Sequence, residues 1–407
     1  MESEKTNMLS AANLLDNLLA RARPVTETLT LPLADSLGRV LAQAQVSAIT
    51  VPPLDNSAMD GYAVRVADVA VIGARLPVSQ RIAAGQVGAP LQPGSAARIF
   101  TGAPVPRGAD AVLMQEDCVA DDAFVTINKS PRMGENIRRA GEDIEAGAEI
   151  LAAGTRIGPA EMGLSASVGL AALPVLRRLK VACFFTGDEL VTPGAPLAPG
   201  QIYNSNRYTL TGLVNGLGCE LIDMGIVPDT LDATTEALRH AASVADVVVT
   251  SGGVSVGEAD YVKAAVEALG KVEMWKVAMK PGKPIVYGRV NDADFIGLPG
   301  NPVSAFVTFC LFVRPFLLKR MGVADVLYKA FPVKAGFAWT RPGMRREFLR
   351  ARLETDAHGA VARLFPNQSS GVLTSCTWAD GLIDIEIGQT VQPDDWVRFI
   401  PFSELLG

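Results

Sequence analysis

The chain has 407 residues, 49% hydrophobic and 20% charged, a balance that suits a globular protein of roughly two to four domains with ample core. A net charge of -6 at pH 7 argues against nucleic acid as a partner, because phosphate backbones are met by basic stripes. Five cysteines with no C-x-x-C spacing and only two histidines offer no zinc-like ligand set and point to a reducing compartment.

In chain order, MESEKTNMLSAANLLDNLLARARPV reads as a capped amphipathic helix with no apolar core of a signal peptide, so a cytoplasmic protein is expected. Residues 47–136 show short apolar runs punctuated by Gly, Pro and Asp, the pattern of a small β-rich module. Residues 137–179 are rich in Gly and Ala with a weak helical period and can pack back on the first helix. Between 180 and 328, strand and helix patterns alternate (LKVACFF, SNRYTLTGLVNGLG, CELIDMGIV, TTEALRHAASVA, DVVVTSGG), which predicts a doubly wound, mostly parallel α/β domain. The longest apolar run, AFVTFCLFV, stops at Arg314 and Pro315, too short to cross a bilayer, so no membrane is expected. Residues 329–407 are strand-like again and predict a C-terminal β domain.

In an open α/β sheet, ligands bind beyond the carboxyl ends of the strands. Here those ends carry TGDEL, VPD, TSGGVSVGEAD, KPGKP and LPGNP. Ser251, Gly252, Gly253, Ser255 and Gly257 form a glycine loop that lets backbone approach an anion, with a helix starting near Ala259 adding its dipole. Lys276, Lys280 and Lys283 supply positive charge, and Asn301 lies in the last turn. Glu189, Asp229 and Asp260 are hard carboxylate donors that favour Mg2+ over zinc, although Asp229 and Asp260 also suit helix N-caps.

Gly253–Gly257 also spells G-x-S-x-G, the form of a hydrolase nucleophile elbow. That reading needs a base for Ser255, and the chain offers only His240, at the end of an amphipathic helix, and His358, in a polar turn. The anion loop is therefore favoured. A second polar cluster, PPLDNSAMDGYAV, lies beside RIFTGAPVPRGAD and GENIRRAGED. Its Asp55, Asn56, Ser57 and Asp60 are good turn formers, yet with Arg138, Arg139 and Asp143 they also suit anion and metal handling.

Taken in order, DNSAMDGYAV, IFTGAPVPRGADAV, GENIRRAGEDI, TGDEL, SGGVSVGEADYVK, KPGKP and GLPGNPVSA resemble the molybdopterin molybdenumtransferases, the MoeA-type proteins related to the C-terminal domain of gephyrin. The resemblance runs over nearly the whole chain. It implies an enzyme that takes adenylylated molybdopterin and molybdate, inserts molybdenum into the dithiolene and releases AMP with Mg2+, the final step of molybdenum cofactor biosynthesis. Carried over position by position, it implies Asp60, Thr101, Asp143, Glu189, Asp260, Lys276 and Lys280 as catalytic, Arg138, Pro299 and Pro302 at the substrate, and Glu189, Asp229 and Asp260 as metal ligands. It further implies four domains, the first formed by two separated segments; with the helical reading of those segments above, this gives a discontinuous helical domain of 1–46 and 137–179, then 47–136, 180–328 and 329–407. A homodimer with shared active sites is implied too, with the molybdopterin adenylyltransferase as a candidate protein partner. Two departures stand out: Thr230 follows Asp229 where relatives often carry an acid, and Asp380 stands where many carry Asn. A non-catalytic scaffold of the same fold is the alternative from a different class.

Overall fold

The near-continuous apolar runs at 181–185, 247–249 and 295–298 are what strands buried on both faces require. The computed structural model of the protein, which describes residues 8–121, 123–253, 261–282, 284–356 and 359–406, places them at the centre of a seven-stranded sheet. Its order is Met8–Leu9, Gly270–Val277, Pro284–Val290, Ala293–Leu298, Val247–Ser251, Lys180–Thr186 and Glu220–Val227. The last four run parallel, and Pro284–Val290 alone runs against its neighbours. Side chains alternate between two cores, as the period of two demands. Val181, Cys183, Phe185, Val247, Val249 and Ile296 face one core, and Ala182, Phe184, Val248 and Phe295 face the other.

Helices Leu231–Val244 and Tyr261–Leu269 cover the second face, through Leu238, Ala241, Val262 and Val266. Ala11–Arg21, Ser205–Gly216 and the continuous helix Pro302–Arg320 cover the first. Pro302–Arg320 is long and apolar enough to span a membrane, but 89% of its most apolar window is buried inside the protein. Its middle, Phe309–Val313, widens to a π turn just before Pro315, whose ring and missing N–H disrupt regular i to i−4 bonding.

The first helix is capped by Ser10, whose hydroxyl accepts from the Asn13 amide at 3.1 Å. Leu14 and Leu18, one turn apart, are fully buried against the α/β core, and Met8–Leu9 adds the sheet's edge strand. The chain's start therefore packs with the α/β unit rather than with residues 137–179. The two halves of the discontinuous unit meet through short ladders: Thr28–Pro32 with Ala172–Leu176, and Gln45–Val46 with Glu149–Leu151. They share a core of Leu41, Leu151, Ile157, Leu173 and Val175. One helix, Pro159–Ser167, is described between 137 and 179, so this unit is more β than the expected helical domain. Alanine and glycine content set that expectation, whereas cross-chain ladder pairing decided the outcome.

Residues 56–138 hold a six-stranded sheet, ordered Ala111–Met114, Gly61–Val64, Ala96–Ile99, Ala74–Ile82, Phe124–Ile127 and Cys118–Ala120. The C-terminal strands close on themselves. Arg346–Asp356 pairs with Gly359–Leu364 on one side and Gly381–Ile385 on the other, and Phe331–Ala335 and Trp396–Pro401 complete a five-stranded barrel. Met279–Lys280 of the α/β unit adds to this barrel by pairing with Arg346–Glu347.

Leu18→Ala should cost about 2–5 kcal/mol by opening a cavity between helix and sheet. Denaturant unfolding followed by the fluorescence of Trp275, on the adjoining strand Gly270–Val277, measures it; a loss under about 1 kcal/mol would show that the helix docks only loosely.

Candidate active site

Parallel strands that are buried along their length can present polar groups only where they end. Strands Lys180–Thr186, Glu220–Val227, Val247–Ser251 and Ala293–Leu298 all end at one edge, and the turns after Lys180–Thr186, Val247–Ser251 and Ala293–Leu298 line a pocket of about 360 Å³. Thr186, Glu189, Asn204, Asn206, Ser251, Gly252, Gly300, Asn301 and Pro302 are among its walls.

The floor is held by a short chain of hydrogen bonds. Asn206 Nδ2 donates to Ser251 Oγ at 2.8 Å and to the Gly300 carbonyl at 2.7 Å, and Ser251 Oγ donates to the Pro299 carbonyl at 2.9 Å. Ser251 lines the pocket with its single proton directed to Pro299, so this serine also ties two strand-end turns together. Gly252 likewise directs its amide to the Leu298 carbonyl at 3.2 Å. Its contribution is space: with φ +102°, a Cβ there would lie 2.9 Å from the Thr186 carbonyl. Gly253, with φ +64°, would press a Cβ to 2.5 Å from Val262.

The unsatisfied valences of the pocket belong to asparagines that sequence reasoning missed. Asn204 caps helix Ser205–Gly216 by accepting from the Arg207 amide at 3.1 Å and is 2% exposed, with Nδ2 unpartnered in the structure. Asn206 Oδ1 is also buried and unpartnered. In sequence both look like ordinary helix-start residues; the cue was their place beside the TGDEL strand end in a chain whose helices begin at that edge.

Three acids gather at the rim. Burial, together with the negative charges of Asp188 and Glu189, holds the Asp229 carboxyl above the ordinary aspartate range. Thr230, not Asp229, caps the next helix, accepting from the Ala233 amide at 3.3 Å. Asp229 is thus left free of a capping duty. Among the described residues, no three of His, Cys, Asp and Glu lie close enough to hold an ion. The crowded carboxylates nevertheless suit a hard cation in donor type and in the charge they need neutralised. Lys276 is half-buried near the carboxyl end of Gly270–Val277. Lys280 meets the barrel's Glu347 at 3.0 Å, and that carboxylate is almost wholly enclosed.

The second polar cluster sits on the β-rich unit. Asp60 Oδ1 accepts from both the Thr101 amide and the Thr101 hydroxyl at 2.8 Å. The amide first, and then the hydroxyl, hold its carboxyl below the usual range. Asp55 instead serves structure, accepting from Arg139 at 2.6 Å and from the Ala140 amide at 2.8 Å, and Ser57 donates to the Met59 carbonyl at 2.5 Å. Arg138 and Asp143 are exposed nearby in sequence. Among the described residues, no hydrogen bond or ion pair joins the Asp60–Thr101 group to the strand-end pocket. Ser255, Gly257, Asp260, Lys283 and His358 lie outside the described residues, and so does the expected helix start at Ala259.

Three family models tile the chain: the MoeA N-terminal region (domain I and II) over 9–169, a probable molybdopterin binding domain over 182–319, and the MoeA C-terminal region (domain IV) over 332–402. The chain is 40% identical to molybdopterin molybdenumtransferase 2 of Mycobacterium tuberculosis, covering 95% of both proteins. The chain belongs to the MoeA family. The Haemophilus influenzae molybdopterin molybdenumtransferase is 46% identical over 73% of this chain and 74% of its own length. A MoeA crystal structure from Pyrococcus horikoshii OT3 superposes with a TM-score of 0.83 at 26% identity, covering 97% of this chain and all of that one. Asp380, the second departure from the family pattern, accepts from the Leu353 amide at 2.9 Å, so it braces the barrel.

Gly252→Ala should lower molybdenumtransferase activity at least about tenfold, since a left-handed backbone and a carbonyl contact oppose the new methyl. Unchanged activity with unchanged circular dichroism would show that the turn has slack.

Proposed function

We propose that the protein binds adenylylated molybdopterin and molybdate, transfers molybdenum to the dithiolene and releases AMP with the help of Mg2+. The observation that carries the reading is the strand-end edge: glycine turns and two asparagines, each with one unpaired amide atom, line its pocket, and crowded carboxylates and lysines stand at the strand ends outside the pocket lining. This set suits phosphoanhydride cleavage, which needs positioning and charge neutralisation more than a nucleophilic side chain.

Each group then has a task. The unpaired Nδ2 of Asn204 and Oδ1 of Asn206 supply one donor and one acceptor to the edge of a pterin ring. Gly252 and Gly300, without side chains, let the substrate lie close to the turn. Lys276 neutralises phosphate oxygens, and Lys280 does so while tethered by Glu347. Glu189 and Asp229, joined by Asp260, would hold Mg2+, which when bound withdraws charge from the anhydride oxygens. Molybdate enters as a substrate.

Asp60, Thr101, Arg138 and Asp143 belong to the same reaction in this reading, contributed by the second copy of a two-fold homodimer. Among the described residues no hydrogen bond or ion pair joins their cluster to the pocket within one chain, which is compatible with that arrangement. A cytoplasmic location and supply of substrate by a molybdopterin adenylyltransferase follow from the same chemistry. The scaffold alternative is disfavoured because a binding surface has no need of unpaired buried amides beside crowded acids.

The test is AMP release from adenylylated molybdopterin. Release should require both molybdate and Mg2+ and fall at least about a hundredfold in Lys276→Ala. Release that proceeds equally with neither present would refute the proposal.

A further inference from the structure

The opposite edge of the sheet carries a second cavity, of about 590 Å³, at the amino ends of the strands that begin at Lys180 and Glu220. It lies at the junction between the discontinuous unit, which contributes Glu27, Leu29, Arg39 and Arg178, and the α/β unit, which contributes Lys180 and Asp246. Four basic side chains face it, the fourth being Arg177.

Their charges are not equally committed. Arg177 is locked in a two-pronged pair with Asp246, both contacts at 2.7 Å, and also meets Glu27 at 3.1 Å. Asp246 completes its own shell with the Lys180 amide at 2.8 Å. Arg39 instead donates to the Leu176 carbonyl at 2.9 Å. Among the described residues, neither Arg39 nor Arg178 nor the Lys180 ammonium has a carboxylate within ion-pair distance. Glu220 is then the one lining acid not already engaged by an arginine. Partial burial, and then the charge of Arg178, press the Arg39 guanidinium below its ordinary range. Two like charges therefore lie together beside a domain junction, in a cavity of ligand size.

We propose that this cavity is an anion site that takes a phosphate-bearing small molecule, bound between Arg39 with Arg178 on one unit and Lys180 on the other. Binding there would relieve the repulsion and tie the two units together. The site is separate from the strand-end pocket, since it stands at the other end of the same strands.

Thermal unfolding in a phosphate-free, low-salt buffer tests this, with inorganic phosphate and ribose 5-phosphate as probes. Millimolar phosphate should raise the unfolding temperature of the wild-type protein, because a ligand of the folded state alone stabilises it. Arg178→Gln, at an exposed side chain, should fold normally and lose most of that rise. Lys276→Ala with Lys280→Ala should keep it, which separates this site from anion binding at the strand-end pocket. A larger rise with ribose 5-phosphate than with phosphate at equal concentration would assign the ligand as a phosphomonoester, and equal rises would assign it as free phosphate. No rise in the wild-type protein, or an undiminished rise in both Arg178→Gln and Arg39→Gln, would overturn the proposal.

Discussion

Burial of a parallel sheet on both faces is the constraint from which the rest of the molecule follows. Val247, Val248 and Val249 are wholly enclosed, as are Val181, Ala182 and Phe184. Such strands cannot carry chemistry along their length without stranding polar groups in the core. The polar residues are displaced to the strand ends, where the turns after three strands share one pocket. Ser251, the last residue of its strand, shows the transition: its hydroxyl and the Asn206 amide pin the turns after two strands into one floor.

The C-terminal barrel is coupled to that edge rather than appended to it. Met279–Lys280 extends the barrel, Lys280 finds its counter-charge on Glu347, and the Val303 amide bonds the Ser370 carbonyl at 3.0 Å. Arg350, fully buried, donates to the Ser369 carbonyl at 3.1 Å and to Ser375 Oγ at 3.0 Å, fixing the loop that reaches the start of helix Pro302–Arg320. The position of Lys280, at the strand-end edge, thus depends on a domain that does not line the pocket.

The α/β unit was legible because its strands are apolar throughout and its turns are punctuated by glycine and proline. Strand ends carried the site motifs for the same reason. Barrel closure was not legible, since pairing Phe348 with Asp384 joins residues far apart in sequence and leaves no local pattern. The ladders of the discontinuous unit were hidden likewise, and the first helix was misplaced because amphipathic period reports a buried face without naming what buries it. Asn204 and Asn206 escaped because a capping asparagine and a ligand-facing one look identical until the pocket is formed. Asp55 and Asp60, five residues apart, read alike in sequence. The structure separates them, binding Asp55 to Arg139 and Asp60 to Thr101.

The central claim is that one working site draws on two copies of the chain. Subunit complementation tests it most directly, using Asp60→Ala and Lys276→Ala proteins that are each inactive alone. Mixed by co-expression, random pairing makes about half the dimers heterodimers with one intact site of two, so activity should recover to about a quarter of wild type. No recovery from a preparation in which heterodimers are demonstrated would place both residues in the same site of a single chain and contradict the account.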